Sequence, residues 1–195
     1  MKICYFCGMD KGETSFNDMQ TVKRNFFAMR NGVIADTLRR SGSPFRIIFG
    51  LNLPQISEIA LRSPHGREMA ERLWANSTTR ESMLIAPMLV ERDNFAIEDA
   101  RRWIAEIPAE EVSDVLCLKL LKHMPYAPAL ADELAESAER MSRYTGLRLK
   151  FNLLNDDPSD AMRYAEKMLT VETDDRCRTL ASQLRDECLW LLEES

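Results

Sequence analysis

The amino-acid sequence predicts an all-α fold built from repeated helix pairs, and three observations lead to it. Glycines are few, 7 in 195 residues, whereas helix-favouring residues such as Leu, Ala, Glu, Arg and Met are abundant. Apolar residues recur at helical spacing, and no stretch shows the sustained period-two alternation typical of a strand. A weak internal repeat, offset by about 30 residues, also relates ERLWANSTTRESMLIAPMLVER to RRWIAEIPAEEVSDVLCLKLLKH.

The first part of the chain is predicted to contain five helices. Residues 16–30 carry one apolar face, formed by Met19, Val22, Phe26 and Met29. Asn31 and Gly32 signal the end of this helix. The segments VIADTLRRSG, PQISEIALR and SPHGREMAERLWAN follow, and Pro54 opens the second of them. In the next helix, STTRESMLIAPMLVER, Ser77 or Thr78 is the cap, and Glu81 completes a capping-box pattern with Thr78.

The rest of the chain is predicted to form three helix pairs. AIEDARRWIAEI and PAEEVSDVLCLKLLKHM make one pair, and two more pairs follow at residues 127–155 and 159–194. Repeated pairs of this length stack into an α-solenoid, an α-α superhelix in which each pair buries a face against its neighbours. Trp74 and Trp103 are interpreted as core between repeats. We predict a loosely ordered segment at 1–17 and a single helical-repeat domain over 18–195.

The charge distribution limits the function classes. The net charge is −5, but residues 1–80 hold 12 Lys or Arg against 7 Asp or Glu, a balance of +5. The remaining residues hold 14 against 24, a balance of −10. An acidic protein binds nucleic acid only through a local basic surface. No apolar run of about 18 residues predicts a membrane span, and no signal peptide is evident, so we expect a cytoplasmic protein that does not bind membranes.

The cysteines and histidines predict no metal centre. Five cysteines are an odd number, and in the cytoplasm they are expected to be reduced. Cys4 and Cys7 have C-x-x-C spacing, but no second pair supplies the other half of a four-ligand zinc site. His65 and His123 lie far apart without ligand spacing. We therefore expect neither a metal nor a cofactor.

Four segments, in this order and spacing, resemble a known family: GLNLPQISEIA (50–60), RLWANSTTRESMLIAPML (72–89), WIAEIPAEEVSDVLCLKLL (103–121) and RMSRYTGLRLKFNLL (140–154). They resemble the DNA alkylation repair family of HEAT-like repeat proteins, and the resemblance covers roughly residues 20–195. The stretch FFAMRNGVIADTLRRSG (26–42) is similar to the N-terminal part of a short branch of the family. The resemblance implies a right-handed superhelix with a basic concave face that holds duplex DNA. Active members are DNA glycosylases that release N3- and N7-alkylated purines.

The resemblance transfers the family's catalytic residues only in part. In active members the second helix of a middle pair begins Trp-Asp-x-x-Asp, where the Trp stacks and the final Asp stabilises the cationic sugar. Here the Trp position falls on Ser113, the first Asp on Asp114 and the final Asp on Cys117. A Trp-x-Arg-Arg pattern in the next pair falls on residues 141–144, MSRY, so Arg143 is retained and the Trp is not.

Asp114 and Cys117 are the candidate catalytic residues, and each has a second interpretation. Release of an alkylated purine needs a fixed anion near the developing sugar cation. Asp114 could supply that anion, or it could cap the start of its helix by accepting backbone N–H groups. Cys117 could be a functional thiolate, which requires a lowered pKa, or a small buried apolar residue.

Two groups of cations are candidate DNA contacts. Arg143, Arg148 and Lys150 lie on one predicted second helix, where they contact phosphates or form a solvated face. The densest basic region lies earlier in the chain and could clamp the DNA backbone through Lys23, Arg24, Arg30, Arg39, Arg40 and Arg46.

Two function hypotheses remain open. The first is a monomeric DNA-binding protein of the alkylation repair family, with weak or no alkylpurine glycosylase activity, whose partner is duplex DNA, alkylated or not. The second is a non-catalytic helical scaffold that binds a protein or peptide. The missing Trp and Asp and the acidic second half of the chain favour the scaffold, because solenoid surfaces commonly bind partners.

Overall fold

The computed structural model describes residues 11–193, with side chains from residue 18 onward. This part of the chain is α-helical and contains no β-strand, only an isolated bridge between Ile47 and Thr79. The predicted all-α class is therefore confirmed. The chain comprises two compact units, which we call unit 1 (up to Leu89) and unit 2 (from Val90).

Unit 1 contains five described α-helices: α1 (Lys11–Ala28), α2 (Gly32–Arg40), α3 (Leu53–Leu61), α4 (Arg67–Trp74) and α5 (Arg80–Leu89). The first of these begins within the segment predicted to be loosely ordered. The rest of that segment, including Cys4 and Cys7, lies outside the described residues. Helix α4 packs against α5, and Trp74 is fully buried, as interpreted from the sequence.

Unit 2 contains six described α-helices: α6 (Ile97–Ala105), α7 (Glu110–Lys119), α8 (Ala127–Ala135), α9 (Arg140–Leu153), α10 (Pro158–Val171) and α11 (Asp175–Glu193). Short 3-10 turns lie at Arg92–Asn94 and Leu121–His123. Helix α8 pairs with α9 and α10 with α11, while α9 packs against both α7 and α11. The second helices of successive pairs therefore form a common layer.

Hydrogen bonds between successive pairs follow the period of the sequence repeat. Arg101 binds Glu133, 32 residues later, and Arg143 binds Glu172, 29 residues later. Trp103, near the end of α6, is fully buried and packs edge-on against Phe95 with ring centroids 5.0 Å apart. A spacing near 30 residues between contacting side chains is expected when equivalent helices of neighbouring repeats pack together.

One helix start in unit 1 agrees with the prediction from the sequence, and another differs from it. Asn52 and Gln55 form a reciprocal capping box at α3, with Pro54 in its first turn. Asn31, predicted to mark the end of the first helix, instead caps the start of α2, where its side chain accepts from the N–H groups of Val33 and Ile34.

The capping box predicted from Thr78 and Glu81 is replaced by a tertiary contact. Helix α5 begins at Arg80, and the fully buried Glu81 carboxylate accepts the N–H groups of residues 49, 50 and 51 at 2.9–3.3 Å. The buried Arg80 guanidinium lies 2.9 Å from the same carboxylate. Glu81 therefore fixes the loop before α3 instead of its own helix terminus.

Gly50 allows two backbone segments of unit 1 to approach closely. Its φ is +78°, in the left-handed region that favours glycine, and a Cβ here would lie 2.2 Å from the carbonyl oxygen of Asn31. The N–H of Asn31 donates to the carbonyl of Phe49 at 2.8 Å. These contacts hold the two ends of residues 31–50 together, so this stretch forms a closed loop.

No helix in residues 11–193 is both long enough and apolar enough to cross a bilayer.

Candidate functional site

The positions that correspond to the family's catalytic motif lie on α7, and two of them face the interior. Ser113 and Cys117 are one helical turn apart and fully buried. The hydroxyl of Ser113 lies 2.8 Å from that of Thr145 on α9. Because the Thr145 hydroxyl donates to the carbonyl of Met141 at 2.7 Å, Ser113 is the donor of the shared bond. Ser113 thus joins α7 to α9 at the position where the resemblance implies a stacking Trp.

Cys117 does not have the environment of a catalytic thiol. Burial raises the pKa of its thiol above the ordinary value, and the charge of Asp114 raises it further. The thiol lies 3.6 Å from the carbonyl of Thr145, as a weak donor. A neutral, inaccessible thiol neither contacts DNA nor stabilises a sugar cation. In the structure Cys117 is a small, fully buried side chain.

Asp114 lies in the second turn of α7, past the helix start, and does not act as a cap. Its carboxylate accepts the Arg148 Nε–H at 2.7 Å and the Tyr144 hydroxyl at 3.0 Å, both from α9. Burial raises the pKa of Asp114, although Arg148 and Tyr144 favour the charged form. The negative charge of Asp114 is therefore compensated within the fold, and little of it is free to stabilise a cation outside.

Tyr144 and Arg148 also line a small surface cavity of unit 2. The cavity measures about 170 Å³ and lies among side chains of α7, α9 and α11. The Arg148 guanidinium lies 5.9 Å from the Tyr144 ring centroid and 5.6 Å from that of Phe151, within the range of cation–π attraction. Burial raises the pKa of Tyr144 to about 12, so its hydroxyl stays protonated. This cluster can donate hydrogen bonds but presents no uncompensated anion.

The Arg143 guanidinium forms an ion pair with a carboxylate of the neighbouring repeat in unit 2. Its Nε and one terminal nitrogen contact the Glu172 carboxylate at 2.6 and 3.2 Å, and its other terminal nitrogen donates to the carbonyls of Ser137 and Ala138. The hydrogen bond from Arg143 lowers the pKa of Glu172 to about 2. These partners leave the guanidinium few free N–H groups for a phosphate contact or for a solvated face, the two predicted roles.

Lys150 is likewise internal, with only 4% of its surface exposed. Its ammonium forms ion pairs with Asp132, at 2.9 Å, and with Asp160, and lies 5.3 Å from the Tyr164 ring centroid. Burial opposes the positive charge, but hydrogen bonds to Asp160 and Asp132 outweigh it and raise the pKa of Lys150. The ammonium joins α8, α9 and α10 and is not presented to a ligand.

The basic region of unit 1 differs from α9, because its cations point outward. We call residues 23–46 the basic segment; it holds six Lys or Arg and a single acidic residue, Asp36. All six cations are exposed. Arg39 pairs with Asp36 at 2.8 Å, and the Nε of Arg40 donates to the carbonyl of Asp36. Within the described residues, Lys23 and Arg24 have no ion-pair partner.

Several residues that shape these sites were not singled out by sequence reasoning. Tyr144 was noted only as a departure from an Arg position, and Glu172 not at all. Phe27, which lies beside Arg24 in the basic segment and is 57% exposed, was also missed. A bulky apolar residue among cations is a signal that could have identified Phe27.

No group of three or more His, Cys, Asp or Glu side chains in the described residues is arranged to hold a metal ion.

Comparisons with known proteins agree with this arrangement of helices. The family model described as "DNA alkylation repair enzyme" matches residues 22–186. A solved structure from work on "a new family of proteins related to the HEAT-like repeat DNA glycosylases with affinity for branched DNA structures" is similar, with a TM-score of 0.73 at 19% identity. The match covers 86% of this chain and 74% of the other, and it shows a HEAT-like helical-repeat fold. No curated protein matches the sequence.

Proposed function

Because this chain belongs to the DNA alkylation repair enzyme family, we propose that it is a DNA-binding protein that contacts phosphates through the basic segment. The observation that carries this proposal is the exposure of all six cations of residues 23–46, within a protein of net charge −5. Exposed Lys and Arg supply the largest part of non-specific DNA affinity. The cations of α9 are not part of this proposal, because carboxylates of unit 2 pair with them.

We further propose that release of alkylpurines by this protein is weak or absent. The chemistry needs a preorganised anion next to the sugar, and such electrostatic stabilisation is usually the largest catalytic contribution. Asp114 is compensated by Arg148, and Cys117 is a buried neutral thiol. The expected measurement is release of 7-methylguanine from methylated duplex DNA at a rate indistinguishable from that of DNA alone.

Duplex binding is tested by fluorescence anisotropy over a series of salt concentrations. If the six cations contact phosphates, the logarithm of the affinity falls against the logarithm of salt with a slope of about −5. Replacing Lys23 and Arg24 together by Gln should make the slope less negative by about 2. A four-way junction belongs in the same series, because the structurally similar family is described as having affinity for branched DNA.

A matched control replaces two arginines of unit 2 by Gln: Arg163, which is exposed, and Arg185, which is half-buried. Both pair with a neighbouring aspartate at the surface, so the same charge is removed outside the basic segment. The control should retain the wild-type slope. Absence of any binding at low salt would end the proposal.

The scaffold hypothesis is supported by a different observation at the end of the chain. Three large apolar residues of α11 are more than two-fifths exposed: Leu189, Trp190 and Leu192. Exposed apolar groups of this kind can contact a protein partner. A wild-type protein that binds no DNA at low salt, but whose Trp190 fluorescence responds to a protein or peptide ligand, would favour this alternative.

A further inference from the structure

We propose that the basic segment carries a stacking site for an unpaired DNA base, with Phe27 as the stacking residue. The site is a surface depression of about 490 Å³ in unit 1, lined by Gln20, Lys23, Arg24, Phe27 and Phe49. It combines two aromatic rings, two cations and an amide. The inference rests on the proposed DNA binding and adds to it a substrate class, DNA that contains single-stranded or unstacked nucleotides.

The exposure of Phe27 requires an explanation that phosphate binding alone does not give. A Phe ring left 57% exposed forgoes much of the roughly 1.5–3 kcal/mol that burial of such a side chain provides. Its neighbour Phe26 is fully buried and packs with Phe49, with ring centroids 5.9 Å apart. Phe26 therefore supplies the core contact at this point of α1, and Phe27 lies outside that core among the cations.

Arg30 holds the Phe27 ring from one side. Its guanidinium carbon lies 3.9 Å from the ring centroid, and its Nη1 donates to the carbonyl of Phe27 at 2.9 Å. Phe27 also lines the depression, whereas Arg30 does not. A base that entered the depression could therefore stack on a ring that Arg30 already contacts.

The cations at the depression match the charge of a nucleic-acid strand. Lys23 and Arg24 are exposed at its wall and have no ion-pair partner within the described residues. Stacking platforms flanked by cations are the usual means by which proteins hold single strands without sequence preference. Bases inside a duplex present only their edges in the grooves, so the face of an aromatic ring is used only where a base is unstacked.

The experiment measures affinity for three DNAs of equal length: a duplex, a single strand and a duplex with a single-stranded fork. We expect Phe27→Ala to weaken binding to the single strand and the fork by about 5- to 150-fold, as loss of one base–aromatic stack predicts. Duplex affinity should change less than about 2-fold. Phe27→Trp should retain binding. A 2-aminopurine base in the single strand should lose fluorescence on binding to wild type but not to Phe27→Ala.

Leu61→Ala is the control, since Leu61 is 82% exposed on α3 and lies outside the depression. It should leave all three affinities unchanged, and thermal unfolding should be similar for every variant. An equal effect of Phe27→Ala on all three DNAs, or no effect on any, would overturn the stacking site and leave the duplex-binding proposal intact. Failure of the wild type to bind any DNA would remove both.

Discussion

The Asp114 carboxylate lies 2.7 Å from Nε of Arg148 and 3.0 Å from the hydroxyl of Tyr144, so the acid nearest to the family's catalytic position is bound within the protein. One turn further along the same helix, Cys117 is fully buried. We therefore expect that one substitution does not restore the motif, because position 117 faces the core of unit 2.

We expect Cys117→Asp to destabilise the protein without creating glycosylase activity. A carboxylate at this position would be fully buried near the like charge of Asp114, with which Arg148 is already paired, and such groups cost about 3–5 kcal/mol. Urea unfolding should show this loss, whereas Cys117→Ala should cost about 1 kcal/mol. Appearance of 7-methylguanine release in a stably folded Cys117→Asp protein would contradict the burial of this position.

Lys150→Met is expected to lower stability while leaving DNA affinity unchanged. The methionine retains most of the apolar stem, but the ion pairs with Asp132 and Asp160 are lost, at a cost of about 1–3 kcal/mol. Anisotropy with duplex DNA should give an affinity within about 2-fold of wild type. A large loss of affinity without a change in stability would show that the ammonium reaches DNA after all.

The stability of unit 2 should fall in acid through Glu172. Arg143 and two backbone N–H groups lower its pKa from 4.5 to about 2 in the folded state, so the stabilisation is complete above pH 4.5 and is lost as the pH falls toward 2. The shift corresponds to about 3 kcal/mol for this buried carboxylate.

The Glu172 contribution is measured by urea unfolding at pH 7 and at pH 3. Glu172→Gln should be less stable than wild type at pH 7, and the difference should shrink at pH 3. Glu166→Gln, an exposed position on α10, is the control and should behave as wild type at both pH values. A difference that stays constant with pH would show that the ionised carboxylate is not responsible.

Glu81→Gln should destabilise unit 1 by about 3–5 kcal/mol. The substitution removes the charge that the buried Arg80 pairs with and weakens the bonds to three consecutive backbone N–H groups. Glu58→Gln removes a surface pair with Arg62 and should cost no more than about 0.5 kcal/mol. Equal effects of the two substitutions on unfolding would refute the anchoring role of Glu81.

Sequence periodicity predicted the helices well, because a helix leaves a local signal every three to four residues. The buried pairs were not predictable in the same way. Arg143 and Glu172 meet across 29 residues and two helices, and no local pattern marks them as partners. The offset of about 30 residues in the repeat was the available clue, since it is also the spacing of these contacts.

The roles of the motif residues depend on how α7 is rotated about its own axis, and the sequence does not determine this rotation. Ser113, Asp114 and Cys117 are all within about one turn, and either side of the helix could face α9. The structure turns Ser113 and Cys117 inward and leaves Asp114 at the edge, where Arg148 reaches it. For Glu81, a local capping signal competed with the loop at residues 49–51, and the tertiary contact prevailed because the carboxylate there satisfies more donors.

The close approach of Gly50 to Asn31 closes the stretch of chain that carries three of the six cations of the basic segment. Arg39, Arg40 and Arg46 lie on this stretch, so its contacts constrain their backbone. If DNA contacts these residues as proposed, association restricts mainly their side-chain rotamers, at about 0.5–1.5 kcal/mol for each immobilised group. A larger residue at position 50 would loosen the stretch and weaken DNA affinity with every cation still in place.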